Sequence, residues 1–145
     1  MKISTKGRYS IRLMIDLALN GTRGFVLLKD VARRQGVSEK YLGHLVPLLK
    51  NAGLINATRG AKGGFSLNQT PAAISLTQII EAVEGPLVLV DCVSDPCACK
   101  RTDSCAAADF WADVNAKMVS IFDSYTLEYL AQQQKKKQSV QTYEI

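Results

Sequence analysis

Ala32-Arg33-Arg34-Gln35-Gly36-Val37-Ser38-Glu39-Lys40-Tyr41-Leu42-Gly43-His44-Leu45-Val46-Pro47-Leu48-Leu49 reads as two helices joined by a tight turn. Ala32 is small and lies one helical turn before Gly36, so two helices can approach closely there. Gly36 can take the positive φ that an abrupt change of helix direction demands. Val37 fills the angle between the helices, and Ser38 is a strong N-cap for the second. Leu42, Leu45, Val46 and Leu49 give that second helix an apolar face. This is the logic of a helix-turn-helix, a motif that places its second helix in the major groove of DNA. An ordinary helical hairpin shares the pattern, so the flanking sequence must separate the two.

Downstream, the second helix ends at Gly53, and Leu54-Ile55-Asn56-Ala57-Thr58-Arg59 reads as a strand. Gly60-Ala61-Lys62-Gly63-Gly64 is a turn, and Phe65-Ser66-Leu67 returns as a second strand. A hairpin directly after a helix-turn-helix is a wing. Its tip carries Arg59 and Lys62 among glycines that let the backbone approach phosphate or enter a minor groove. A mere connection seldom carries two cations at its tip.

Upstream, Tyr9, Leu13, Met14, Leu17 and Ala18 recur at helical spacing and predict a helix from Thr5 to Asn20, closed by Gly21. A turn over 21–24, a short extended piece at Phe25-Val26-Leu27 and a helix over Leu28 to Gln35 follow. Ser75 and Gln78 form a capping-box signature ahead of Leu76, Ile79, Ile80 and Val83, and Gly85-Pro86 ends that helix. From Ala106 a long helix carries Ala107, Trp111, Val114, Met118, Ile121, Phe122 and Tyr125 on one stripe. Their spacings alternate between four and three, the seam of two packed helices. A small winged domain has little core to cover such a stripe, so a second copy of the chain is expected there; packing on its own domain is the alternative. A break is expected near Ser124 to Thr126, with Thr126 capping a last turn that contains Leu127 and Leu130. The expected fold is mainly α with a small β-hairpin wing. It divides into a winged helix-turn-helix over 1–85, a cysteine-rich cluster-binding loop over 86–105, a dimerisation helix over 106–134 and a flexible basic tail over 135–145.

The chain has 145 residues, 47 % of them hydrophobic, enough for one domain with a real core. No apolar run approaches the roughly 20 residues of a membrane-spanning helix. The stretch Met1-Lys2-Ile3-Ser4-Thr5-Lys6-Gly7-Arg8 lacks the apolar segment of a signal peptide, so a cytoplasmic location is expected. Net charge is +5. Lys2, Lys6, Arg8, Arg12, Lys29, Arg33, Arg34, Lys40, Lys50, Arg59 and Lys62 all precede residue 63, against only Asp16, Asp30 and Glu39. Such a basic half suggests a polyanion partner, and with the wing the expected partner is a double-stranded DNA operator, with Lys6 and Arg8 facing it. No membrane and no small-molecule substrate are expected. Lys135-Lys136-Lys137 reads as part of the solubilising tail.

All four cysteines fall between Cys92 and Cys105. No periodicity organises Val90 to Cys105, and a structureless loop of that length needs a functional reason or a ligand to order it. The pattern is Cys92-x6-Cys99-x5-Cys105, with Cys97 in addition. Soft thiolates suit iron–sulfur clusters or zinc. The paired Cys-x2-Cys knuckles of structural zinc are missing, which favours a cluster; zinc and a thiol redox switch remain open. An enzyme, such as a small thiol oxidoreductase using Cys97 and Cys99, is the rival from another class. It lacks a Cys-x2-Cys on a βαβ framework, a carboxylate pair and a phosphate loop, so no enzyme is expected.

Several blocks together resemble the Rrf2 family of winged-helix repressors. They are Met1 to Tyr9, Ser38-Glu39-Lys40-Tyr41-Leu42, Asn51-Ala52-Gly53-Leu54, Arg59-Gly60-Ala61-Lys62-Gly63-Gly64-Phe65 and Glu81-Ala82-Val83-Glu84-Gly85-Pro86. The likeness spans nearly the whole chain, and the cysteine loop followed by Phe110-Trp111 looks most like the family's iron–sulfur cluster regulators. The resemblance implies a homodimer on a partly palindromic site. It implies DNA contacts from Ser38, Lys40, Tyr41 and His44 on the recognition helix and Arg59 on the wing. It also implies an iron–sulfur cluster, [2Fe–2S] favoured over [4Fe–4S], held by Cys92, Cys99 and Cys105. The cluster regulators usually carry a histidine three residues after the last of these cysteines, where this chain has Ala108 with Asp109 beside it. The fourth ligand is therefore open between Cys97, Asp109 and a group from the partner subunit. His44, the only histidine, suits DNA contact or a plain surface role better than ligation. Gly43 replaces an acidic residue common in the family, and Pro47 is expected to interrupt the recognition helix. A metal-free repressor of the same family, governed by thiol redox or a protein partner, is the runner-up.

Overall fold

The computed structural model describes residues 1–143. Its elements are α1 (Thr5–Asn20), α2 (Leu28–Gln35), α3 (Glu39–Asn51), β1 (Ile55–Thr58), β2 (Gly64–Leu67), α4 (Leu76–Glu84), α5 (Asp91–Ser94), α6 (Ala106–Ser124) and α7 (Leu127–Tyr143). The fold is mainly helical with one antiparallel hairpin, the winged helix-turn-helix that the pattern predicts.

Local rules account for most boundaries. Ser4 caps α1 by accepting from Lys6 N–H at 3.1 Å, and Ser38 caps α3 from Tyr41 N–H at 3.1 Å. The capping box of α4 is complete: Gln78 N–H donates to Ser75 Oγ at 3.3 Å, and Ser75 N–H donates to Gln78 Oε1 at 2.9 Å. Gly36 ends α2 at φ +63°, the left-handed conformation expected of the turn. The core gathers Leu13, Met14 and Leu17 of α1, Val31 of α2, Leu42, Leu45 and Leu49 of α3, and Ile79 and Val83 of α4. Leu127 of α7 completes it from the C-terminal side.

In the wing, β1 and β2 pair antiparallel from Ile55↔Leu67 to Thr58↔Gly64. Val26 adds an isolated bridge to Phe65, with both N–H···O bonds at 2.8 Å. Gly64 permits this close approach: a Cβ there would sit 2.5 Å from the Val26 carbonyl oxygen, at φ +142°.

Four expectations change. Pro47 lies inside a continuous α3 rather than interrupting it, because burial of Leu42, Leu45, Val46 and Leu49 holds the helix together across the missing backbone bond. The cysteine segment is not structureless: α5 and two 3-10 turns, Pro96–Ala98 and Thr102–Ser104, organise it. Asp95 sets the first of these turns by accepting from Cys97 N–H at 2.9 Å. Finally, the break after α6 falls where Thr126 is expected to cap, with Tyr129 N–H donating to its hydroxyl at 3.2 Å, but the element it opens is a full helix rather than a last turn. Lys135-Lys136-Lys137, expected in a flexible tail, continue α7 as far as Tyr143; residues 144 and 145 lie outside the described residues. Two backbone bonds clamp the α6–α7 break to the start of α4, Leu76 N–H to Tyr125 O at 3.0 Å and Leu127 N–H to Ile74 O at 2.9 Å.

Candidate nucleic-acid interface and cysteine loop

On α3, Lys40, Gly43, His44 and Pro47 are exposed at positions i, i+3, i+4 and i+7, one outward stripe opposite the buried leucines. Ser38 is exposed at the helix start, its oxygen partly engaged in capping. Tyr41 is half-buried, its ring edge-on to Tyr9 of α1 at 5.7 Å between centroids. The Arg12 guanidinium lies over the Tyr9 ring at 4.9 Å and donates through Nε to Gln35 Oε1 at 3.0 Å. This cluster joins α1, α2 and α3 behind the recognition face. At the wing tip, Arg59 and Lys62 are exposed, and Lys6 and Arg8 are exposed at the start of α1. The sites predicted for DNA contact are thus outward-facing, with Tyr41 partly turned to packing.

A buried carboxylate sets the angle of this unit. Asp16 of α1 is 2 % exposed. It accepts from Arg34 Nη2 at 2.6 Å and Nε at 3.0 Å, from Gln35 Nε2 at 3.0 Å and from Asn20 Nδ2 at 3.2 Å. The forked guanidinium pins the end of α2 to α1. The hydrogen bond to Asp16 raises the Arg34 pKa above its ordinary value, and the neutralised pair withdraws Arg34 from the basic face in which the sequence counts it. The sequence does carry a signal for this pair: Asp16 sits inside the apolar run of Leu13, Met14 and Leu17.

A second carboxylate joins the ends of α1 and α4. Glu84 accepts from Ser4 N–H at 2.9 Å, from Gly7 N–H at 3.1 Å and from the Ser4 hydroxyl. These bonds, Ser4's hydroxyl first, hold the Glu84 carboxyl below the usual carboxylate range.

The cysteine loop starts from Leu87, which is buried, and is docked on α6 by Asn115. Cys92 lies in the first turn of α5 and Cys105 is the N-cap of α6, both half-buried; Cys97 and Cys99 are exposed. All four thiols are free. As a donor set they suit a soft metal. Their arrangement in the single chain does not: among the described residues no three Cys, His, Asp or Glu side chains converge as metal ligands. Cys92, Cys99 and Cys105, predicted as a ligand set, are therefore not brought together. At the position of the missing histidine, Ala108 is buried and offers no donor, while Asp109 is exposed on the next residue of α6.

Beyond the loop, α6 presents Trp111, Ile121 and Phe110 to solvent, Ile121 at 60 % exposure, beside a shallow groove of Val114, Met118 and Phe122. Its own chain covers the stripe only in part, leaving Val114, Met118 and Phe122 half-buried and Trp111 and Ile121 exposed. No helix among the described residues is long and apolar enough to cross a membrane.

The family model Rrf2, described as an iron-dependent transcriptional regulator, matches residues 3–133. The transcriptional regulator CymR of Bacillus subtilis is 41 % identical over 131 residues, covering 90 % of each chain. Its solved structure, described as that of a global cysteine regulator, superposes with a TM-score of 0.75 at 39 % identity, covering 91 % of this chain and 97 % of that one. IscR of Klebsiella pneumoniae is 32 % identical, covering 92 % of this chain and 82 % of its own. The solved IscR of T. potens gives a TM-score of 0.76 at 35 % identity, covering 95 % and 91 %. The expected particular likeness to the iron–sulfur regulators is not favoured, since CymR exceeds IscR in identity. That likeness rests on the cysteine loop and Phe110-Trp111 alone, a short part of the chain, whereas the identity is counted over 131 residues for CymR and 134 for IscR. The chain belongs to the Rrf2 family of DNA-binding transcription regulators, and it is not an enzyme.

Proposed function

We propose that the chain acts as a homodimeric repressor that grips a partly palindromic operator and whose grip depends on the chemistry of the loop over 86–105. The winged domain over 1–85 reads DNA through Ser38, Lys40, Tyr41 and His44 in the major groove, with Arg59 and Lys62 on the wing and Lys6 and Arg8 at the start of α1. The partly covered stripe of α6 supports dimerisation through that helix. The observation that carries the regulatory reading is the place of Cys105: it is the N-cap of α6, so the last thiol of the loop begins the helix that carries the dimer seam. A change at the thiols bears directly on how two recognition helices are spaced against a helical turn of duplex, about 34–36 Å.

The soft donor set and the iron-dependent description of the family support an iron–sulfur cluster as the regulating group, with Cys92, Cys99 and Cys105 as ligands and Cys97, Asp109 or a partner group as the fourth. The second reading, a metal-free thiol- or partner-controlled repressor, is favoured by the spread arrangement of the thiols and by the identity to CymR. Anaerobic purification followed by an absorption spectrum and iron, sulfide and zinc analysis separates the two. Near-equal iron and sulfide, with visible absorption lost in Cys99→Ala, is the expected result. A colourless protein that stays colourless after reconstitution transfers the function to zinc where zinc is found, and to the thiols alone where it is not.

A further inference from the structure

A chain of hydrogen bonds runs from the cysteine loop to the basic start of α1. Asn115 of α6 is 8 % exposed and donates from Nδ2 to Leu87 O at 3.1 Å while accepting from Leu89 N–H at 2.8 Å. Its side chain is thus committed to the residues that lead into Cys92. Leu87 N–H donates to Glu81 Oε1 at 3.1 Å, and Glu81 lies one turn before Glu84 on α4. Glu84 in turn holds the amides of Ser4 and Gly7, and Lys6 and Arg8 flank Gly7. Gly7 admits the carboxylate: a Cβ there would sit 2.8 Å from Glu84 Oε1 and 2.5 Å from Ile3 Cγ2.

Buried polar groups are costly to leave unpaired, so the loop stem cannot leave α6 without breaking both Asn115 bonds or carrying α6 with it. The first amides of α1 have no acceptor within their own helix beyond the Ser4 cap, so the helix start follows Glu84. Only Gly85 and Pro86 separate Glu84 from Leu87, and the proline ring fixes one of the intervening torsions. We infer that Asn115 and Glu84 are positioning residues that transmit the state of the cysteine loop, within one subunit, to the phosphate-facing cations Lys6 and Arg8. This rests on the reading of the loop as the regulating segment.

The test uses the full chain and an operator selected from random duplexes by the wild-type protein. Affinity is measured by fluorescence anisotropy at fixed salt for two preparations, one reduced and metal-free, the other reconstituted anaerobically with ferrous iron and sulfide or, if that leaves it colourless, oxidised with diamide. A ratio of about tenfold between the two is expected for the wild type, within the usual range of allosteric coupling. In Asn115→Ala and Glu84→Ala the ratio should collapse to within about twofold of unity while both preparations still bind, and Glu84→Gln, which keeps an acceptor oxygen, should restore part of it. Hydrogen exchange of the wild-type amides from Ser4 to Arg8 should differ between the preparations, a readout that stands even if Asn115→Ala does not fold. Variants that keep the wild-type ratio, or exchange at Ser4 to Arg8 that ignores the loop while the ratio holds, overturn the relay alone. A wild-type ratio of one removes the regulatory reading itself and the relay with it.

Discussion

Single carboxylates decide two of the junctions that matter most. Glu84 joins the end of α4 to the start of α1, and its lowered pKa makes the junction sensitive to acid. A group whose folded pKa is depressed contributes fully above its unfolded value and loses that contribution as pH falls through the folded one. The Glu84 contribution is therefore complete above its ordinary value of 4.5 and fades below it, in the range where the Ser4 and Gly7 bonds and the nearby Lys6 charge no longer hold off the proton. Glu84→Gln should be less stable than the wild type in urea unfolding at neutral pH, and the difference should shrink steadily as pH drops below 4.5. A difference that stays constant with pH would show that the carboxylate's charge plays no part. Asp16 makes the other junction deeper in the domain, where it fixes α2 against α1 through Arg34. The sequence marks Asp16 by its place in an apolar run but names neither carboxylate's partner, because the partners lie 18 and 80 residues apart and only folding makes them neighbours.

The helix and strand limits were largely legible, because they depend on near neighbours. Apolar spacing and the Ser38 and Ser75 caps defined α1, α3 and α4, and the glycines around Lys62 defined the wing. What failed were elements without an apolar stripe. From Lys135 on, α7 continues with Lys135-Lys136-Lys137-Gln138, which reads as tail for want of an apolar stripe, although Lys and Gln have high intrinsic helix propensity. The turns of the cysteine segment are too short to show a period, and Asp95-Pro96 was their only local signal. Pro47 is an instructive case within an element. Its ring removes a backbone donor from α3, and the helix persists because the apolar face buries Leu42, Leu45, Val46 and Leu49. Replacing an exposed mid-helix proline by alanine should restore the missing bond, so Pro47→Ala is expected to raise stability by about 1–3 kcal/mol in thermal unfolding. Operator affinity should shift as well, since Pro47 lies on the outward stripe with Lys40 and His44. An unchanged or lowered melting temperature would mean that the local backbone is better fitted to proline than to a regular helix.

At the scale of the whole molecule the cations act together, and the proposed dimer would multiply each of them by two. Every phosphate neutralised releases counterions, so log K falls with log salt at a slope of about −0.9 per contact on duplex DNA. A wing lysine that touches phosphate in both subunits therefore owns about two units of that slope. Lys62→Ala should flatten the slope by about two and weaken binding to all duplexes to a similar degree, because phosphate contacts position the protein without reading sequence. The same slope reports on the seam. Ile121 is the most exposed large apolar side chain of α6, so Ile121→Glu should place a charge where two copies meet and yield a monomer in sedimentation. Such a monomer should retain about half the wild-type slope and lose the preference for a two-half-site operator. If Lys62→Ala instead costs only one unit, a single wing engages the duplex and the operator must be asymmetric. If it costs none, the wing tip stands clear of the phosphates, and the basic start of α1 together with α3 must supply the electrostatic grip.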